Sequence, residues 1–294
     1  MAKCEVMDTF PSFLTFWMEV RDEPVDVQVE GWVSRYMTEW PELLDKQLRA
    51  CWACGLEWQS VARERIFVPL PDMLLPMQIA HSNLLELCEP IYATAQGVLG
   101  FEMDAIFILY VGVSGRAGWP TNFNGKPAVL FGLETIAEYG WHFLSPISEV
   151  IAHEIGHLVH IHWRKQAQRR MGSGPWWQLY SEGFAQWCEA VILGREIWTG
   201  SLDSAGDKGW LEWCKDHKVW LANEFIRRVD AGEGTEPFFD FFSVVEGRRL
   251  CGHFLGYELM RELVPDAGLR SVALMENVDS KIRDIMERIA SGED

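Results

Sequence analysis

Ala105-Ile106-Phe107-Ile108-Leu109-Tyr110-Val111-Gly112-Val113 is a continuous apolar run rich in β-branched and aromatic residues. It does not alternate with polar positions, so it reads as a strand buried on both faces. This run decides the fold class, because the chain on either side is helical in pattern. Ahead of it, Leu43, Leu44, Leu48 and Cys51 recur at helical spacing, and Ile79, Leu84, Leu87 and Ile91 repeat the pattern within residues 77–99. Pro69, Pro71 and Pro76 are expected to break the chain between these stretches. Beyond the run, Ser114 to Lys126 is rich in Gly, Pro and Asn and reads as a loop. Pro127-Ala128-Val129-Leu130-Phe131-Gly132 then reads as a second short strand, with Pro127 favouring an edge position.

Helices return after residue 144. Ser145-Pro146 places a capping side chain before a proline at the first helical position, so a helix is expected from Pro146 to about Gln168. Met171-Gly172-Ser173-Gly174-Pro175 ends it, and a second helix is expected from Trp176 to Leu193, stopped by Gly194. Residues 207–294 are mostly helical in pattern, with a loop at 231–237. Two or three strands set among helices make an α+β arrangement. The change of texture divides the chain into a helical N-terminal region, 1–100, of no assigned role, and a domain at 101–294.

The bulk numbers narrow the classes. Hydrophobic residues make up 48% of the 294, enough for a sizeable core. A net charge of -17 repels phosphate backbones, so no nucleic-acid partner is expected. No apolar run reaches the roughly 18 residues that span a bilayer, and the first residues lack the apolar stretch of a signal peptide. No membrane partner is expected. The seven scattered cysteines then read as reduced thiols in a cytoplasm. Cys51-Trp52-Ala53-Cys54 has no second pair at zinc-site spacing and follows a helical stretch, so it is read as structural.

The chemistry lies in Val150-Ile151-Ala152-His153-Glu154-Ile155-Gly156-His157-Leu158-Val159. Residues at i and i+4 share one helix face, so His153 and His157 can reach one ion together. Glu154, beside the first His, can contact a water polarised by that ion. The apolar flanks bury the helix, and a buried His-Glu-His set needs a partner to offset desolvation. A catalytic zinc requires a third protein ligand and an open position. The metzincin spacing fails, since position 163 is Trp. His160 and His162 are carried away from the shared face and are read as surface or supporting residues. Glu182, 25 positions beyond His157, stands on the next helix, which can fold back antiparallel, and Gly183 permits close backbone approach.

His153-Glu154-Ile155-Gly156-His157 followed by Ser181-Glu182-Gly183-Phe184-Ala185 resembles the gluzincins. The second segment is similar to the N-E-G-F-A segment of zinc aminopeptidases, with Ser181 where Asn is usual. The strands and the Gly252-x-x-x-Gly256-Tyr257 segment resemble bacterial zinc proteases of this type, and the resemblance spans about residues 101–265. It implies a mainly helical, zincin-like catalytic domain whose small sheet has an edge strand, Pro127–Gly132, bordering the active-site cleft. It also implies one zinc ion held by His153, His157 and Glu182, and a peptide or small protein substrate. An oxyanion donor is implied in the C-terminal part, where His253 and Tyr257 lie i,i+4 on one face. By the same likeness Gln186 or Glu189 would accept a hydrogen bond from a ligand His, while Glu149 is read as an acid at the helix N-terminus. The expected activity is hydrolysis of peptide bonds with Glu154 as general base. The alternatives are a zinc hydrolase of a non-peptide amide or ester, or a catalytically silent zinc-binding or regulatory protein.

Overall fold

The computed structural model describes residues 2–200, 208–241 and 243–292. Residue 207, where the C-terminal helical stretch is expected to begin, lies outside them. The architecture is α+β and mainly helical, and the chain forms two compact units, Met1–Glu154 and Ile155–Asp294.

The first unit holds one sheet made of β1 (Cys4–Asp8), β2 (Ala105–Tyr110), β3 (Gly118–Phe123) and β4 (Lys126–Gly132), in the order β1-β2-β4-β3. β2 pairs in parallel with both β1 and β4, and all six of its residues are buried. The apolar run thus forms a central strand, as its composition requires. Two strands were not legible in the local pattern. β1 has no alternation and is recruited by pairing Cys4 with Ala105 across a hundred residues of chain. β3 falls in the stretch read as a loop, and pairs antiparallel with β4 through the turn at Asn124 (φ 49°) and Gly125 (φ 75°). Asn-Gly is the favoured pair for a tight hairpin turn, because both residues accept positive φ. That dipeptide was the available signal.

The edge assignment is corrected. Pro127–Gly132 is interior to the sheet, and β3 forms the edge instead. Pro127 is tolerated because the pairing of β4 with β2 begins only at Ala128.

Helices α1 (Phe10–Val20), α2 (Val25–Gly31), α3 (Pro41–Ala53), α4 (Trp58–Val61), α5 (Leu70–Leu99) and α6 (Leu133–Glu138) complete this unit. Pro71 and Pro76 do not break the chain but lie within α5. Pro71 occupies the first turn, where no intrahelical N–H bond is lost. Pro76 is carried by packing, since Met77, Ala80 and Leu84 just beyond it are fully buried. Side chains from this helical region tie down the end of β2. Trp32 Nε1 donates to the Val111 carbonyl at 3.0 Å, and the Tyr36 hydroxyl accepts from the Val111 N–H at 3.2 Å. The Cys51 thiol is buried and donates to the Val113 carbonyl, while Cys54 is exposed, so this pair serves packing.

Helix α7 (Leu144–Gln166) runs through the division between the units. It starts before Ser145, which therefore is not its cap; the Ser145 hydroxyl instead donates to Glu149 Oε1 at 3.3 Å. The second unit continues with α8 (Pro175–Ile192), α9 (Trp210–Asp216), α10 (Lys218–Ala231), α11 (Cys251–Ala267), α12 (Leu269–Ala273) and α13 (Val278–Ser291). α8 and α11 pack backbone to backbone: a Cβ on Gly183 would lie 2.1 Å from the Gly256 carbonyl oxygen. Among the described residues no helix is long and apolar enough to cross a membrane.

Candidate metal centre

Helix α7 buries Val150, Ile151, Ala152, Ile155, Leu158 and Val159, which leaves His153 and His157 one turn apart on a half-buried face. Gly156 lets α8 come close, since a Cβ there would stand 2.9 Å from the Cα of Ala185. The two helices run in opposite directions past each other: Gly156 meets Ala185, His157 meets Glu182, and His160 stacks on Trp177. The antiparallel pair expected from the spacing is therefore present.

His153, His157 and Glu182 form a group that could hold a metal ion, each offering one ligand atom, with all of these atoms within 4.8 Å of one another. His157 Nε2 stands 3.3 Å from Glu182 Oε2. Its other ring nitrogen, Nδ1, lies 3.4 Å from the Ser181 hydroxyl. When Nε2 faces an ion, Nδ1–H donates to Ser181, which sets the tautomer and the ring plane. Ser181 is the contact of this group that the motif alone did not mark. Its position one residue before Glu182, in the segment where the gluzincins carry Asn, was the available signal.

Glu154 is 8% exposed and packs on the edge strand. A Cβ on Gly118 of β3 would lie 2.6 Å from Glu154 Cγ and 2.8 Å from Oε1, so only glycine leaves room for the carboxylate beside the strand. The sheet edge does border Glu154, through β3.

The remaining candidates separate. His253 Nε2 reaches Glu182 Oε2 at 3.7 Å. The Tyr257 hydroxyl accepts the Trp198 backbone N–H at 3.1 Å, with its ring packed between Trp187 and Trp198. Glu149 is buried one turn before His153 and lies in the second turn of α7. The side-chain carbonyl of Gln186 is buried and accepts no hydrogen bond among the described residues, and Glu189 pairs with Arg195 at 3.5 Å. His160 is not at the surface. Its ring is fully buried among Trp177, Tyr180 and Phe184, and burial pushes its imidazole down to about 3. It is therefore neutral and serves the α7–α8 contact.

Compared with protein families, curated proteins and solved structures, the chain matches none. The functional reading rests on the site itself. A pocket of about 350 Å³ opens over α8 at Ser181 and Glu182, with Trp177, Gln178 and Glu236 also in its wall. Of the three residues of the group, Glu182 lines this space.

Proposed function

We propose that this chain is a zinc-dependent peptidase of the gluzincin kind, with a zincin-like fold, in which His153, His157 and Glu182 hold one zinc ion and Glu154 is the general base. The observation that carries the reading is the convergence of those three side chains, with the buried Glu154 carboxylate adjoining the first of them in sequence. Two imidazoles and one carboxylate leave a coordination position open, which suits catalytic zinc.

Zinc in this site supplies a Lewis acid and a water that ionises near neutral pH. Glu154 takes the proton from the attacking water and delivers it to the leaving amine. Ser181 keeps the His157 ring in the ligating tautomer. We assign His253, which reaches Glu182, as the donor to the developing oxyanion. Tyr257, held by Trp198 and Trp187, supports α11 behind it. β3 beside Glu154 offers main-chain pairing to an extended peptide or a small protein segment. No disulfide joins any of the seven cysteines, which fits a reducing compartment such as the cytoplasm.

The test is Glu154→Gln. Zinc content by metal analysis should persist, while turnover of a peptide library falls by about 10²- to 10⁴-fold, the range for loss of a general base. Full turnover in the variant sinks the assignment of the base. Turnover of esters or small amides but no peptides points to the non-peptide hydrolase. Bound zinc without any turnover points to the silent zinc protein.

A further inference from the structure

The chain carries 43 acidic and 26 basic residues, yet one pocket in the first unit has only cations among its charged walls. It encloses about 400 Å³ and is lined by Lys46, Arg49 and Ala50 of α3 together with Arg116, Trp119 and Pro120. Lys46 and Arg49 also pair with Glu42 and Asp45 on their own helix, at 3.5 and 2.8 Å. Arg116 is exposed, and its guanidinium has no ion-pair partner among the described residues. Trp119 is held in place by its indole N–H, which donates to the Tyr110 hydroxyl at 3.0 Å.

The pocket lies along the edge strand beside the base. The Gly132 N–H donates to the Ala117 carbonyl at 3.1 Å. In the antiparallel register of β3 with β4, that bond turns the main-chain groups of residues 117, 119 and 121 toward β4 and those of Gly118, Pro120 and Asn122 outward. Pro120 fits this phase, because it has no N–H to present to the open side. Gly118 therefore offers both its N–H and its carbonyl to an added strand, at the residue that abuts Glu154. Directly opposed residues share a face of a sheet. A substrate residue paired with Gly118 turns its side chain toward α7. Its two neighbours project to the opposite face, the one occupied by Trp119 and by Thr121, whose hydroxyl lies 3.4 Å from Lys46 Nζ.

We propose that this pocket receives the carboxylate side chain of the peptide substrate. The protein then selects Asp or Glu one residue along from the residue that pairs with Gly118. The inference rests on the peptidase reading. Arg116 supplies the unpaired charge, Lys46 and Arg49 close the far wall, and Trp119 packs against the methylene stem.

The experiment uses the full-length, zinc-loaded protein and peptides that carry Glu, Gln or Lys at each successive position on both sides of the cleaved bond. At one position kcat/KM should favour Glu over Gln by about tenfold, since each partly exposed cation contributes a few-fold. The preference should shrink in about 0.5 M salt, where screening shortens to a few ångströms. Arg116→Glu should abolish or invert the preference toward Lys, and Arg116→Lys should keep it. Cleavage with no Glu preference at any position, or a preference that survives Arg116→Glu, overturns the pocket and leaves the peptidase reading standing. No cleavage of any peptide overturns that reading, and the pocket with it.

Discussion

His157 divides two tasks between its ring nitrogens. Nε2 faces Glu182 and Nδ1 faces the Ser181 hydroxyl. Removing an outer partner of a ligating imidazole lets the ring turn and sample the wrong tautomer. Ser181→Ala should therefore weaken zinc binding by about tenfold, the lower end for such contacts. Competition against a chromophoric chelator measures it, and an unchanged affinity removes Ser181 from the site. Cys51 and His160 carry the opposite lesson. Both are side chains with ligand chemistry, yet Cys51 is spent on a main-chain carbonyl and His160 on an aromatic cage.

The site is assembled by two close helix contacts, Gly156 against Ala185 and Gly183 against Gly256. The second brings α11, and with it His253, up to Glu182. Gly183→Ala places a methyl against main chain that cannot rotate away, so the helices must separate. Overpacking of this sort costs about 1–3 kcal/mol, occasionally more, and zinc affinity should fall with it, since Glu182 adjoins the contact. Gly97→Ala in α5 is the control. It has nothing within 4 Å of the added methyl, and it should gain up to about 1 kcal/mol from helix propensity. Denaturant melts of both variants decide the matter; equal behaviour would show that the α8–α11 crossing has slack.

For the whole molecule, the buried histidine links stability to pH. The His160 imidazole sits at about 3 in the fold against an ordinary value of 6.5, so the unfolded chain takes up a proton in this window and the folded chain does not. Its contribution is complete above pH 6.5 and is lost progressively as pH falls toward 3. Glu134 opposes it: burial raises its carboxyl to about 7, so its contribution is complete below 4.5 and is lost as pH rises through 7. His160→Phe should flatten the decline between pH 6.5 and 4 relative to the parent at equal metal loading. Parallel stability curves for the two proteins would refute a neutral buried ring.

The central strand and the shared face of the histidine pair are legible in the order of residues alone. The apolar run 105–113 required burial on both faces, and β2 is the central strand. The His153 and His157 spacing put both rings on one helix face, because that periodicity is a property of the backbone. Glu182 was suggested by its spacing beyond that pair and by the resemblance of Ser181–Ala185 to the gluzincin segment. The edge of the sheet was settled by pairing in three dimensions. Pro127–Gly132 carried the local mark of an edge, but strand order depends on which segments pair across long stretches of chain, such as Cys4 with Ala105. The same holds for Ser181 beside His157, for His160 inside its aromatic cage and for Pro76 within α5. Ser181 and His160 meet side chains remote in sequence, and Pro76 is carried by the burial of its own helix, so tertiary packing overrides the local preference.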